Sequence, residues 1–437
     1  MNSRKIALEI FLSGVESVRP KELIIHNVLI ENKELKIGNN IFELKNIKNI
    51  YVVGAGKASA SMAQALEDIL ENRITQGHIV TKYGHSLPLE VIEVTEAAHP
   101  IPDENGVQGT KKILSILNKT TKDDLVICLI SGGGSALLAD VPDRCLLDDL
   151  KSLNILLLKI GADISEINCI RKHISQLKGG QLSKKAFPSR VVSLILSDVI
   201  GDPLESIASG PTACDPTTFS DAISIINKYK IKNKMPKQLF KLLEEGVDGH
   251  RQETVKEYDG ILTLTSNFII GTNQIALQAA KKKAESFGYK SLVVTDRING
   301  DVVDVSNYIL EKVKKVRKIN DHGKTCLLFG GEPTVSVKGK GLGGRNQHLA
   351  LIIASSLRLL DRCTILVGGT DGSDGPTDAA GAIVDSFTIK QALMLGLSEE
   401  EYIGEYNSYH FFKQVGGQIK IGPTQTNVMD LIVVLIK

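Results

Sequence analysis

Five times along this chain a short apolar run passes directly into a loop dense in glycine and in charged or hydroxyl side chains. The runs cover 49–53, 125–130, 191–196, 326–329 and 364–367. Their loops open as Gly54-Ala55-Gly56-Lys57, Ser131-Gly132-Gly133-Gly134-Ser135, Ser197-Asp198, Gly330-Gly331-Glu332 and Gly368-Gly369-Thr370-Asp371. Runs this short and this apolar read as strands buried on both faces. Helical periodicity fills most of the intervals: 58–70, a stretch ending at Leu117, 146–186 with breaks near Gly161 and at Gly179-Gly180, a stretch ending at Phe287, 301–316 and 345–360. Strand–helix alternation of this kind predicts α/β layers with mainly parallel sheets. Ligands of such sheets collect just past the carboxyl ends of the strands, where these loops lie.

A chain of 437 residues exceeds one ordinary domain. The lysine-rich helical segment 215–258 gives way to a fresh alternating block near residue 260, which predicts domains over 1–260 and 261–437. Fifty-two Lys and Arg against 50 Asp and Glu leave a formal charge of +2, which argues against nucleic-acid or membrane-surface partners. The six cysteines form no CxxC pair, which predicts reduced thiols and no zinc site. Residues 1–20 mix acids among their apolar residues, giving an amphipathic helix rather than a signal peptide. No stretch approaches the length of a membrane-spanning helix, so the expectation is a soluble, cytoplasmic protein. A homo-oligomer stays open.

The loops differ in what they offer. Lys57 follows two glycines at a strand-to-helix turn, where unpaired N–H groups favour anions. The third glycine of a dinucleotide fingerprint is replaced by Ser59, and Walker A spacing is absent. The run Ser131, Gly132, Gly133, Gly134, Ser135 is costly in backbone entropy and allows close approach of a phosphate or carboxylate. It is not a Gly-x-Ser-x-Gly elbow. The stretch 197–212 holds three carboxylates, two glycines and two prolines; Asp198 sits at the strand's end, whereas Asp202 lies in a Gly-Asp-Pro setting that suits a turn. Arg171-Lys172-His173 and Lys178 form a basic helix end. Glu332 follows a Gly-Gly pair. Arg345 falls in the first turn of a helix, where the macrodipole disfavours a cation, so an anion ligand is expected there ahead of a structural role, with packing against an acid elsewhere in the chain as the open alternative. The loop 368–378 has three acids among four glycines but lacks the closing glutamate of a Ca²⁺ loop. Lysine, arginine, glycine-rich anion loops and carboxylates suited to Mg²⁺ make up the inventory that phosphoryl transfer needs.

Read as motifs, these segments resemble the MOFRL-type glycerate 2-kinases, a family sometimes labelled hydroxypyruvate reductases. The matching residues are Gly54-Ala55-Gly56-Lys57, Ala98-His99-Pro100-Ile101-Pro102-Asp103, 130–138, Arg171-Lys172-His173-Ile174-Ser175 and 197–212. Further on they are Gly271-Thr272-Asn273, 330–335, Gly343-Gly344-Arg345-Asn346-Gln347, 369–385 and Gly422-Pro423-Thr424. The resemblance implies an N-terminal Rossmann-like α/β/α domain, a C-terminal α/β MOFRL-type domain, and a site in the cleft between them. It also implies phosphorylation of D-glycerate at its 2-hydroxyl with ATP and Mg²⁺. Lys57, Asp198 and Arg345 would be catalytic. Asn273, the 131–135 loop, Lys172 and Glu332 would bind substrate, and Asp198 and Asp371 would hold metal. Four positions depart from the family pattern: His348 for glutamate, Asn407 for aspartate, and Gln425 and Met429 within Gly-Pro-Thr-Gly-Thr-Asn-Val-Asn. These bear on substrate preference and on the C-terminal loop.

Two other classes of function compete. A nicotinamide-dependent hydroxypyruvate reductase needs the dinucleotide loop that Ser59 interrupts. A non-catalytic sugar-acid or nucleotide sensor would keep the anion loops and need no general base.

Overall fold

The computed structural model describes residues 2–319, 323–357 and 360–437. The helix expected to reach Leu360 is described over Arg345–Leu357, and 358–359 lie outside the described residues. The chain divides into two compact units, Pro20–Ile270 and Met1–Arg19 joined with Gly271–Lys437. This differs from a cut at 260 in two ways. The last strand of the first sheet carries the unit to Ile270, and the first helix belongs with the second unit. That helix, Ser3–Glu16, buries Ile6, Ala7, Ile10, Phe11, Gly14 and Val15 along one stripe. A Cβ on Gly14 would lie 3.0 Å from the Ala276 carbonyl oxygen, so this helix packs against the helix Asn273–Ser286.

The first unit opens with an antiparallel meander, β1 (Val28–Glu31), β2 (Glu34–Ile37) and β3 (Asn40–Glu43). Its main sheet holds β4 (Ile50–Ala55), β5 (Ile74–Lys82), β6 (Ile92–Ala97), β7 (Leu125–Ile130), β8 (Arg190–Leu196) and β9 (Thr265–Gly271). Their order is β6-β5-β4-β7-β8-β9, with every pairing from β6 through β8 parallel. β4 and β7 are buried at every residue, as two-sided burial of a parallel sheet requires. The helix Glu104–Leu117 starts where Asp103 accepts the Gly106 N–H at 3.0 Å, the N-cap expected from sequence. Ala55 pairs with Ile130, and Ile130 with Ile195. The loops beginning at Gly56, Ser131 and Ser197 therefore leave one edge side by side. The helices Leu147–Lys159, Ile164–His173, Phe219–Lys228 and Lys237–Val247 gather around an apolar cluster of their own.

The second unit is where mainly parallel sheets fail as an expectation. Its strands are β10 (Lys290–Ile298), β11 (Thr325–Gly331), β12 (Cys363–Gly369), β13 (Gly381–Asp385), β14 (Gln418–Ile419) and β15 (Asp430–Ile436), in the order β10-β11-β15-β12-β13-β14. Only β10–β11 is parallel; the other pairings are antiparallel. The C-terminal strand inserts between β11 and β12. Burying each of its aliphatic side chains contributes roughly 1.5–3 kcal/mol, so a central position is favoured over an edge. Antiparallel entry needs no crossover helix. An apolar run reads alike in either direction, and sequence could not tell them apart. Among the described residues no helix is long and apolar enough to cross a membrane.

Candidate active site

At the β4–β7–β8 edge the glycines are explained one by one. A Cβ on Gly132 would fall 2.0 Å from Asp198 Oδ2, so the Asp198 carboxylate rests directly on the Gly132 backbone. Gly133 has φ +84°, and its Cβ would lie 3.1 Å from His99 Cδ2 and 3.5 Å from Lys57 Cγ. Lys57 and Asp198 thus flank the same loop. The Lys57 N–H donates to the Gly132 carbonyl at 2.9 Å, and the Ala58 N–H to Ser131 Oγ at 3.0 Å.

The remaining members of the 131–135 loop divide by exposure. Ser131, Gly132 and Gly134 are buried, while Gly133 and Ser135 are half-buried. Ser131, buried, braces the Lys57 turn through its bond from the Ala58 N–H. Ser135 Oγ lies 2.7 Å from Ser209 Oγ, which bonds Asn168 Oδ1 at 3.0 Å. Ser209 belongs to a left-handed run, Ala208, Ser209 and Gly210, at φ +50°, +61° and +59°. Non-glycine residues there cost about 1–2 kcal/mol each. The run turns the carbonyls of Ser209, Gly210 and Pro211 onto the N–H groups of Gly179, Gly180 and Leu182 at 3.0, 2.7 and 3.1 Å. Asp202, at φ +55°, closes a turn by donating its N–H to the Val199 carbonyl, as its Gly-Asp-Pro setting predicts.

Two residues here were undervalued by sequence. Burial pushes the His99 imidazole down to about 4, and the nearby charges of Lys57, Lys82, His85 and Arg171 push the same way. His99 is therefore neutral at pH 7, inside a field that favours an anion. Arg171 adds to that field, with its Nε donating to Asn154 Oδ1 at 3.0 Å. Lys172 is corrected: its Nζ donates to Asp215 Oδ1 at 2.7 Å, with both side chains buried. Neighbours on a helix face different ways, so Lys172 points to Asp215 while Arg171 contributes to the field at His99.

In the second unit the register of β15 assembles a cluster. Asp430 pairs with Gly331 on one side and Gly369 on the other, so it lies beside Glu332 and the start of the acidic loop. Arg345 Nε and Nη2 donate to the two Asp430 carboxylate oxygens at 2.6 and 3.1 Å, and Nη1 donates to Glu332 Oε1 at 2.6 Å. Burial works against the charged guanidinium, but Asp430 and then Glu332 raise its pKa well above the ordinary value. Arg345 is thus matched by the protein's own acids, the alternative of packing against an acid elsewhere in the chain. A Cβ on Gly369 would lie 3.2 Å from Asp371 Oδ1 and 3.3 Å from Asp430 Oδ1, so both carboxylates approach that strand end. Asp374, buried, accepts the N–H groups of Asn346 and Gln347 at 2.9 and 2.8 Å and so caps the Arg345 helix. Burial raises its pKa to about 6 despite those bonds.

Asn273 also departs from expectation. It is 2% exposed, and its Nδ2 donates to the carbonyls of Val428 and Asp430 at 2.8 and 3.0 Å. Its amide nitrogen ties the helix Asn273–Ser286 to the start of β15, while its Oδ1 is buried with no partner among the described residues. The departures from the family pattern find places too. His348 stacks on Tyr406 with centroids 4.7 Å apart at 11°, and Asn407 Oδ1 accepts the Leu342 N–H at 3.2 Å. Gln425 and Met429 take φ +62° and +70°, where the family pattern has Gly and Asn, the residues that adopt this region most readily. Asp430 had gone unnoticed; its signal is a single acid opening an otherwise wholly apolar terminal strand.

Comparison with known proteins agrees along the whole chain. Residues 6–244 match a family described as a domain of unknown function, DUF4147, and residues 325–430 match the MOFRL family. The chain is 41% identical to the glycerate 2-kinase of Pyrococcus horikoshii, covering all of this chain and 98% of that one. It is 37% identical to the D-glycerate 2-kinase of Thermotoga maritima, over 99% and 98%, and 35% identical to the human glycerate kinase, over 97% and 91%. The crystal structure of the Thermotoga maritima glycerate kinase superposes with a TM-score of 0.88 at 37% identity, covering 99% of each chain.

Proposed function

This chain belongs to the MOFRL-type glycerate 2-kinase family and is a kinase acting on glycerate, and we propose that it transfers the γ-phosphoryl group of ATP, with Mg²⁺, to the 2-hydroxyl of D-glycerate. The products are 2-phosphoglycerate and ADP. The observation that carries this reading is full-length likeness to kinases of glycerate from an archaeon, a bacterium and a mammal. A cytoplasmic location, with ready access to ATP, fits it.

Such transfer needs positioning and charge more than covalent help. Asp198, held against Gly132 beside the loop, is suited to accept the proton of the attacking hydroxyl. Lys57 on the loop's other flank, together with Arg171, supplies positive charge for the glycerate carboxylate or the moving phosphoryl. Neutral His99 can donate or accept one hydrogen bond there without adding charge. Arg345 acts through Glu332 and Asp430, which it holds in place. Among the described residues no three His, Cys, Asp or Glu side chains gather as a metal site. That suits Mg²⁺, which keeps several waters and takes one or two carboxylates along with nucleotide phosphates. Asp371 is the carboxylate of the second unit suited to that role; in the first unit Asp198 would serve either as the base or as a metal ligand, not as both. When bound, the ion neutralises charge on the phosphate oxygens.

The test is incubation of the purified protein with ATP, Mg²⁺ and D-glycerate, with ³¹P and ¹³C NMR to locate the new ester. Phosphate on carbon 2 with equimolar ADP is expected. NADH oxidation by hydroxypyruvate with no ADP formed would overturn the kinase reading.

A further inference from the structure

Beyond the strand-end cluster, the first unit contains a second concave surface of about 460 Å³, within the range of small-molecule sites. Lys184, Lys185 and Arg251 stand in its walls, and among the described residues no carboxylate lines it. Three cations thus line it in a chain whose whole formal charge is +2, one of them, Arg251, already facing Glu245. The floor is built from buried groups, His173, Ser175, Thr254 and the ring of Phe219.

The geometry is fixed from both sides. Lys184 Nζ donates to Gln252 Oε1 at 2.7 Å, which joins the helix Gln181–Ala186 to the segment carrying Arg251. Gln181 Nε2 donates to the Ser175 carbonyl at 2.6 Å. The acids near the lining are already engaged. Glu245 faces Arg251 at 3.2 Å and Arg144 at 3.8 Å. Glu253 faces His173 at 3.2 Å and Lys256 at 3.3 Å. Glu253 also accepts the Phe219 N–H at 3.0 Å, and Asp215, paired with Lys172, stands 3.9 Å from His173.

We propose that this pocket binds a small phosphorylated organic anion, at a site separate from the Lys57–Asp198 cluster. Lysines supply charge without fixed geometry, whereas the arginine fork can meet two phosphate oxygens at once. The Ser175 hydroxyl is taken by Asp140, whereas the Thr254 hydroxyl accepts from Lys256 and keeps its own proton for a polar group of such a ligand, and Phe219 offers one apolar wall. The concave volume, about 460 Å³, is of small-molecule size. The site bears directly on the helix Ile164–His173, because His173 in its floor and Arg171 in the strand-end field sit two residues apart on that helix.

The experiment uses the full chain with inorganic phosphate and 2-phosphoglycerate as probes, followed by calorimetry and ³¹P line broadening. It compares wild type, Lys57→Ala and the double variant Lys184→Ala/Lys185→Ala, whose lysines are half-buried and exposed and leave the core untouched. Wild type is expected to show phosphate binding that persists in Lys57→Ala and weakens at least tenfold in the double variant. Glycerate kinase turnover without added phosphate should be unchanged in the double variant. Loss of all binding in Lys57→Ala, unchanged binding in the double variant, or no binding by wild type would each overturn the proposal. None of these outcomes depends on which substrate the kinase prefers. Persistence with 2-phosphoglycerate but not with inorganic phosphate would identify the organic ester as the ligand.

Discussion

Replacing Gly132 by alanine tests the placement of Asp198 without touching Asp198 itself. The new methyl would stand 2.0 Å from Oδ2 and 2.6 Å from Cγ of that carboxylate, where ordinary contact begins at 3.4 Å. The carboxylate must therefore retreat by about 1.4 Å, the difference between those separations. A misplacement of roughly 1 Å can cost about 100-fold in rate, or about 2.7 kcal/mol of transition-state stabilisation. The stability cost should be small, about 1 kcal/mol, because a short side chain can rotate away and overpacking relaxes accordingly. Gly132 is not among the left-handed glycines, so no backbone strain confuses the result. Steady-state kinetics with a coupled ADP assay, beside thermal melting, would separate the two effects. Gly260→Ala serves as the control, since nothing lies within 4 Å of its Cβ position. We expect kcat to fall about 100-fold in Gly132→Ala and to hold in Gly260→Ala. In an Asp198→Ala background the same glycine change should cost almost nothing, because there is no carboxylate left to displace. Wild-type turnover in Gly132→Ala, or an equal loss in both backgrounds, would refute the reasoning.

Two further substitutions have clear signs. Arg345→Ala would leave the buried Asp430 carboxylate unpaired and should destabilise the fold by about 3 kcal/mol. Arg345→Lys should recover only part of that because a lysine cannot bond both oxygens in a fork; an Arg345→Ala protein that melts like wild type yet lacks activity would instead make Arg345 a direct substrate ligand. Gln425→Gly should stabilise by about 1 kcal/mol in urea denaturation. It relieves a left-handed φ and removes an amide oxygen that is buried with no partner, gains only partly offset by the freer unfolded chain; a lower midpoint would contradict this account.

Much of the fold was written in the period of the apolar residues. β7 and the helix Glu104–Leu117 fall where the pattern puts them, and Asp103 caps that helix as its side chain predicts. What periodicity lacks is direction and pairing, so β15 could not be seen to run antiparallel between β11 and β12. The β1–β3 meander was overlooked for a different reason. Its strands are four residues each and only partly buried, too short for an alternating pattern to stand out from a loop. The first helix announced its amphipathic character, but nothing in an amphipathic stripe names the surface that covers it.

The site repeats this division between local chemistry and distant partners. Glycine at 132 was read as room for a ligand, and the room is taken by Asp198, 66 positions along the chain. The Arg345 inference is the sharper instance. A cation in the first turn of a helix opposes the macrodipole, so it needs an anion close by to be stable. That physics holds in the structure, but the anion is Asp430, 85 residues away and delivered by the register of β15 against β11 and β12. Local sequence states that a charge must be answered; only the pairing of strands determines whether protein or substrate answers it. The two cases therefore part under one measurement. A charge answered by substrate can be removed at little cost to the fold, as expected for Lys57→Ala, whereas a charge answered within the fold cannot, as expected for Arg345→Ala.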